Sequence, residues 1–103
     1  MKEYKLFIDG EWVPSSTGTV LDDINPATGE VYARIHQASD QDMERAIVAA
    51  YRAREAWGNT LANQRETIIL KAADILEQRI PEVADVLMDE AGSVFGKAMF
   101  EAS

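Results

Sequence analysis

Cysteine is absent from the 103 residues, which removes a disulfide framework, a thiolate metal site and a cysteine nucleophile from the chemistry they can perform. Histidine occurs once, as His36, so neither paired imidazole ligands nor a two-histidine catalytic couple is available. No Gly-x-Gly occurs, so the dinucleotide-binding fingerprint is missing. Positive charge is scarce: ten Lys and Arg against 18 Asp and Glu leave a net charge of −8. Spread along the chain, that excess disfavours phosphate backbones and argues against nucleic acid as a partner. Long apolar runs are also lacking. The opening MKEYKLFIDG carries Glu3 and Asp9 around only a few apolar residues, which fits neither a signal peptide nor a membrane helix. The expectation is a cytoplasmic protein with no membrane partner.

What is present has the composition of a globular domain, 47% hydrophobic and 27% charged, with length for one core. A chain this short buries only about 60 to 70% of its unfolded surface, so any stability of its own is modest.

The pattern along the chain predicts two β-hairpins in residues 1–37 and helices in residues 38–103. Tyr4, Leu6 and Ile8 alternate with Lys5 and Phe7, Asp9-Gly10 supplies the positive-φ pair of a type I′ turn, and Glu11-Trp12-Val13 returns. Pro14 to Gly18 is a loop by composition. A second β-rich pair, Thr19–Ile24 and Val31–His36, is split by Asn25, Pro26 and Gly29, each a turn former.

At Ser39 the period changes from 2 to 3.6. Ser39 is an N-cap with Asp42 at N3, and Met43, Ala46, Ile47, Ala50, Arg54 and Trp57 follow helical spacing until Gly58. A second helix begins after Asn59-Thr60 and carries an apolar face, Ile68 through Ile80, too wide for one neighbour. Pro81 opens a third helix that Gly92 closes, and Lys97–Ser103 reads as the first turns of a fourth, with no C-cap glycine and no polar tail. That ending suggests a segment of a longer chain.

Candidate chemistry is thin. Gly92 to Lys97 (GSVFGK) invites comparison with a phosphate-binding loop, but only three residues separate its glycines, Ala98 stands where Ser or Thr is needed, and the segment follows a helix. His36 reads as a surface or edge histidine. Asp89 and Glu90 are helical neighbours and diverge by about 100°, which is wrong for a shared proton. Trp12 and Trp57 lie in apolar patterns and are expected to fill a core.

Four stretches in this order resemble the N-terminal region of the aldehyde dehydrogenase superfamily: FIDGEWV (Phe7–Val13), INPATGEVYARI (Ile24–Ile35), ASDQDMERAIVAAYRAREAW (Ala38–Trp57) and QRETIILKAADILEQR (Gln64–Arg79). The final EAGSVFGKAMFEAS (Glu90–Ser103) resembles the benzaldehyde and vanillin dehydrogenase branch more than the betaine or acetaldehyde branch. The resemblance covers essentially the whole chain. It implies an α/β fold in which this segment, two β-hairpins followed by three to four helices, wraps a cofactor domain supplied by the remainder of the chain.

The family reaction so implied is attack of a cysteine thiolate on an aldehyde, hydride transfer to NAD or NADP, and hydrolysis of the thioester with a glutamate as base. These 103 residues contain neither that cysteine nor the cofactor loop, so no catalytic or cofactor-binding residue is expected among them and the segment alone is expected to be inactive. The resemblance also implies, as in some members of the family, a monovalent cation held partly by the backbone carbonyl of the residue before the Asn-Pro pair, here Ile24, with a carbonyl that simply pairs in the hairpin as the alternative. Two readings from other classes stand beside this one. A stand-alone module would dock or self-associate through its apolar helix faces, and a small nucleotide-binding protein would use the Gly92–Lys97 loop.

Overall fold

The computed structural model describes residues 2–103. Five strands are followed by four helices: β1 (Lys2–Tyr4), β2 (Leu6–Ile8), β3 (Glu11–Val13), β4 (Val20–Ile24), β5 (Val31–His36), α1 (Asp40–Asn59), α2 (Ala62–Gln78), α3 (Ile80–Ala91) and α4 (Phe95–Ala102). They form two compact units. One takes the residues up to Asp23 together with Val31–Asn59; the other takes Ile24–Glu30 and Thr60–Ser103.

The first unit holds both sheets. β2 and β3 form the expected hairpin, antiparallel with Leu6 opposite Val13, Phe7 opposite Trp12 and Ile8 opposite Glu11. Its turn has the predicted geometry, with φ of 53° at Asp9 and 78° at Gly10, the sign that a type I′ turn requires at both central positions. The expected single strand from Tyr4 to Ile8 is broken at Lys5. β1 leaves the hairpin and pairs in parallel with β5, Lys2 opposite Ala33 and Tyr4 opposite Ile35, in a sheet ordered β1-β5-β4. Two different partners thus claim the two halves of one apolar run.

α1 begins where the cap predicts. Ser39 Oγ accepts the Asp42 N–H at 3.1 Å and an Asp42 carboxylate oxygen accepts the Ser39 N–H at 3.0 Å, the reciprocal bonds of a capping box. The helix runs through Gly58 to Asn59, beyond the stop expected at Trp57. Nothing demands a left-handed residue there, and Gly58 has no positive φ.

In the second unit, Pro81 occupies the first turn of α3, where its missing N–H costs nothing. Gly92 ends α3 in the left-handed conformation at φ 68°, ψ 20°, returning its N–H to the Met88 carbonyl. The turn from Ile24 to Glu30 lies against this corner. Asn25 Oδ1 accepts the Ala27 N–H at 2.9 Å, the Gly29 N–H returns to the Asn25 carbonyl at 2.8 Å, and a Cβ on Gly92 would stand 3.0 Å from Pro26 Cγ.

Neither unit encloses an apolar core. Among the described residues the buried hydrophobic side chains are Ala33, Ala84 and Ala98, while twenty-one large apolar side chains are exposed. Trp12 (66% exposed) and Trp57 (42%) are among them, so the expectation that the indoles fill a core is corrected. A two-stranded hairpin has no second layer to cover Trp12, whose ring lies tilted by 51° against Phe7 at 5.0 Å between centroids. The broad face of α2 is likewise uncovered, with Ile68, Ile69, Ile75 and Leu76 all exposed. No helix among the described residues is long and apolar enough to cross a membrane.

Candidate functional site

The most densely bonded polar cluster lies in the first unit, around the loop from Pro14 to Gly18. Its successive backbone amides go to different side chains. The Ser15 N–H donates to His36 Nδ1 at 2.9 Å, and the Ser16 N–H donates to Asp42 Oδ2 at 3.0 Å. Sheet, loop and helix are therefore joined through two side chains: His36 ends β5, and Asp42 lies in the first turn of α1. The strand register brings β1 beside β5, and Glu3 Oε1 meets His36 Nε2 at 2.8 Å.

His36 is buried, 9% exposed. This corrects the surface or edge reading, and the reason is that loop 14–18 and β1 close over it. Asp42 is fully buried at 0% exposure. The Ser39 N–H and then the Ser16 N–H stabilise its charged form most; burial opposes them, and Arg45 adds a bond at 2.6 Å. The carboxyl is accordingly held far below the ordinary carboxylate range. Buried charge is tolerated here because every approach to it is a donor.

Serine, histidine and glutamate in contact suggest a nucleophile relay, but the geometry rejects one. Ser15 presents its backbone N–H to the imidazole, while its hydroxyl pairs with Thr17 Oγ1 at 3.1 Å. A nucleophile needs its hydroxyl on the base. The cluster is built to hold a loop in place.

An open cleft of about 1050 Å³ lies beside it, floored by Pro14, Ser15 and Ser16 and walled by Val13 of the hairpin and Val48 and Arg52 of α1. Arg45, on the same wall, is engaged with Asp42.

The phosphate-loop comparison fails in the structure as well. Gly96 and Lys97 lie inside α4, and Lys97 Nζ pairs with Glu101 at 3.5 Å. Asp89 and Glu90 are exposed on α3. Ile24, the candidate cation ligand, is the last residue of β4, followed at once by the Asn25 turn. It offers one carbonyl, and the described residues contain no group of three or more His, Asp or Glu side chains that could hold a metal ion.

Sequence reasoning missed Glu3, Ser15 and the second use of Asp42. The cap signal from Ser39 to Asp42 is local and legible. The bonds from Ser16 to Asp42 and from Ser15 to His36 span 26 and 21 residues, and nothing short-range marks them.

The profile of the aldehyde dehydrogenase family matches residues 12–103. The chain belongs to the aldehyde dehydrogenase family. It corresponds to the N-terminal α/β segment of that fold. A D-glyceraldehyde dehydrogenase (NADP(+)) of Thermoplasma acidophilum is 38% identical over 97 residues, covering 94% of this chain and 20% of the relative. Among solved structures, 3,6-anhydro-L-galactose dehydrogenase in complex with NAP superposes with a TM-score of 0.94 at 30% identity, over 98% of this chain and 21% of its own. An NAD-dependent benzaldehyde dehydrogenase from Corynebacterium glutamicum gives a TM-score of 0.90 at 37% identity, over 95% and 21%. The chain thus spans about a fifth of the length of these aldehyde dehydrogenases.

Proposed function

We propose that these residues are the N-terminal segment of an NAD(P)-dependent aldehyde dehydrogenase that oxidises an aldehyde to a carboxylic acid, and that the segment has no activity alone. The observation that carries this is the imbalance, among the described residues, between three buried alanines and twenty-one exposed large apolar side chains. A chain that folds as a self-sufficient unit does not leave that much apolar surface uncovered. In this reading the hairpins of residues 1–37 and the helices of residues 38–103 form a wrapping layer. Its partner is the remainder of the aldehyde dehydrogenase chain, which covers the α2 face and supplies the thiolate that the segment lacks. The Ile24 carbonyl is then one ligand of a monovalent cation whose other ligands come from that remainder.

Aromatic aldehydes are the first substrate class to test, on the likeness of residues 90–103 to the benzaldehyde branch and the 37% identity to a benzaldehyde dehydrogenase. The test is a nicotinamide reduction assay on the purified 103-residue chain with benzaldehyde or glyceraldehyde and either NAD or NADP. No turnover is expected. Saturable reduction proportional to chain concentration would sink the claim of inactivity. Extending the coding frame past Ser103 tests the rest: it should continue into a cofactor domain and a cysteine loop.

A second reading, a stand-alone module that docks or self-associates, is favoured by the same uncovered α2 face. Sedimentation at micromolar concentration separates the two. A defined dimer that Ile69→Glu dissolves supports the module, whereas non-stoichiometric association supports the segment.

A further inference from the structure

The single histidine of this chain is buried where its two hydrogen bonds define its proton. Nδ1 accepts the Ser15 N–H at 2.9 Å, so Nδ1 carries no hydrogen, and the proton of the neutral ring is on Nε2, donated to Glu3 Oε1 at 2.8 Å. We propose that His36 is a pH-sensitive latch on the loop from Pro14 to Gly18. The neutral ring holds Ser15; protonation at Nδ1 sets one N–H against another and releases it.

Three further observations bear on this latch. First, Glu3, the one charged side chain bonded to the ring among the described residues, gives it a partner in both states. Glu3 faces the ring from β1 with its side chain 56% exposed, so a protonated ring keeps an ion-pair partner while it drops Ser15. From α1, Asp42 meets the loop at the Ser16 N–H and is paired with Arg45. On the β4 and β5 side, Asp22 and Arg34 are paired together at 3.3 Å.

Second, the neighbouring amide is held by a group that does not change. Ser16 N–H donates to Asp42, whose carboxyl stays ionised far below the range where imidazoles titrate. Release is therefore confined to the Ser15 end. The Thr17 N–H follows, because it leans on Ser15 Oγ at 3.4 Å. Third, Ser15 and Pro14 form part of the floor of the cleft beside α1, so releasing them reshapes that cleft.

The test, which rests on the segment reading above, is nuclear magnetic resonance on the full chain with these 103 residues selectively isotope-labelled, reading the His36 imidazole nitrogens and the exchange protection of the Ser15 and Ser16 amides between about pH 8 and about pH 5.5. At the upper end Nδ1 should be pyridine-type and Nε2 pyrrole-type. Ser15 protection should fall at least about tenfold across the range, with Ser16 protection unchanged within about twofold. His36→Asn places a non-titrating acceptor near the Nδ1 position and should flatten the Ser15 profile, which also separates His36 from the terminal amine. Should that variant fail to fold, Glu3→Gln leaves the Ser15 bond intact and should move the release to lower pH.

A proton on Nδ1 at the upper end overturns the latch, as does Ser15 protection that ignores pH or Ser16 protection that falls in step. So does an unchanged fall in His36→Asn, or an unmoved release in Glu3→Gln.

Discussion

Replacing Gly92 with Ala tests whether the Asn25-Pro26 turn is only a chain reversal or a packed part of the helical corner. Gly92 sits at φ 68°, ψ 20°, a left-handed conformation that costs a residue with a Cβ about 1 to 2 kcal/mol. The added Cβ would stand 3.0 Å from Pro26 Cγ, inside the contact optimum of about 3.5 to 4.0 Å. The ring of Pro26 is exposed and can yield in part, so the steric cost is about 1 kcal/mol. The sum is about 2 to 3 kcal/mol, all of it local to the end of α3 and the start of α4.

Amide hydrogen exchange is the assay. The Gly92 and Ala98 amides, bonded to the Met88 and Val94 carbonyls, should exchange at least about tenfold faster, or reach the unprotected rate, since about 1.4 kcal/mol is a factor of ten. Gly92→Asn should cost less, because Asn tolerates the left-handed region. Adding Pro26→Ala should recover the steric part alone. Exchange within about twofold of the parent in Gly92→Ala, or no recovery from Pro26→Ala, would refute the reasoning.

Other expectations follow from single sites. Ser39→Ala removes the acceptor for the Asp42 N–H and should cost the start of α1 about 1 kcal/mol, read as roughly fivefold faster exchange in its first turn; unchanged exchange there would contradict the cap. Because the folded chain depresses the Asp42 carboxyl, its contribution is complete above its ordinary value of 3.8 and is lost as pH falls from there through the depressed value. The advantage of the parent over Asp42→Asn should accordingly hold at neutral pH and shrink only in that acid window, and a loss already complete at neutral pH would count against it. Asp9→Val puts a β-branched residue at φ 53° and should loosen the hairpin by about 1 kcal/mol, seen in Trp12 fluorescence, whereas Asp9→Asn should be nearly silent.

How much of this was legible in the sequence depended on range. Signals spanning a few residues were readable: Asp9-Gly10 as a type I′ turn, Ser39 with Asp42 as a capping box, Pro81 as a helix start and Gly92 as a left-handed cap. Each is a local conformational preference that tertiary contacts did not need to override. Signals that depend on partners far away were not. The break at Lys5 follows from β1 finding β5 about thirty residues later, and alternation alone cannot show that one strand serves two sheets.

Burial was misjudged in both directions. His36 reads from the sequence as peripheral and Asp42 only as part of a cap, yet each also takes a donor from a loop more than twenty residues distant and is buried. Trp12 and Trp57 read from their apolar patterns as core residues, yet both are exposed. The family, by contrast, was legible because its motifs are short stretches whose order matters more than any contact.

The central claim is that these residues expose apolar faces built to be covered by something else, and calorimetric unfolding of the purified chain tests it most directly. A domain of about 100 residues that owns its core unfolds in one sharp transition with about 70 kcal/mol of enthalpy. The prediction is a broad, weak transition with enthalpy far below that figure. A sharp two-state transition of the full enthalpy, from a chain shown by sedimentation to be monomeric, would contradict it.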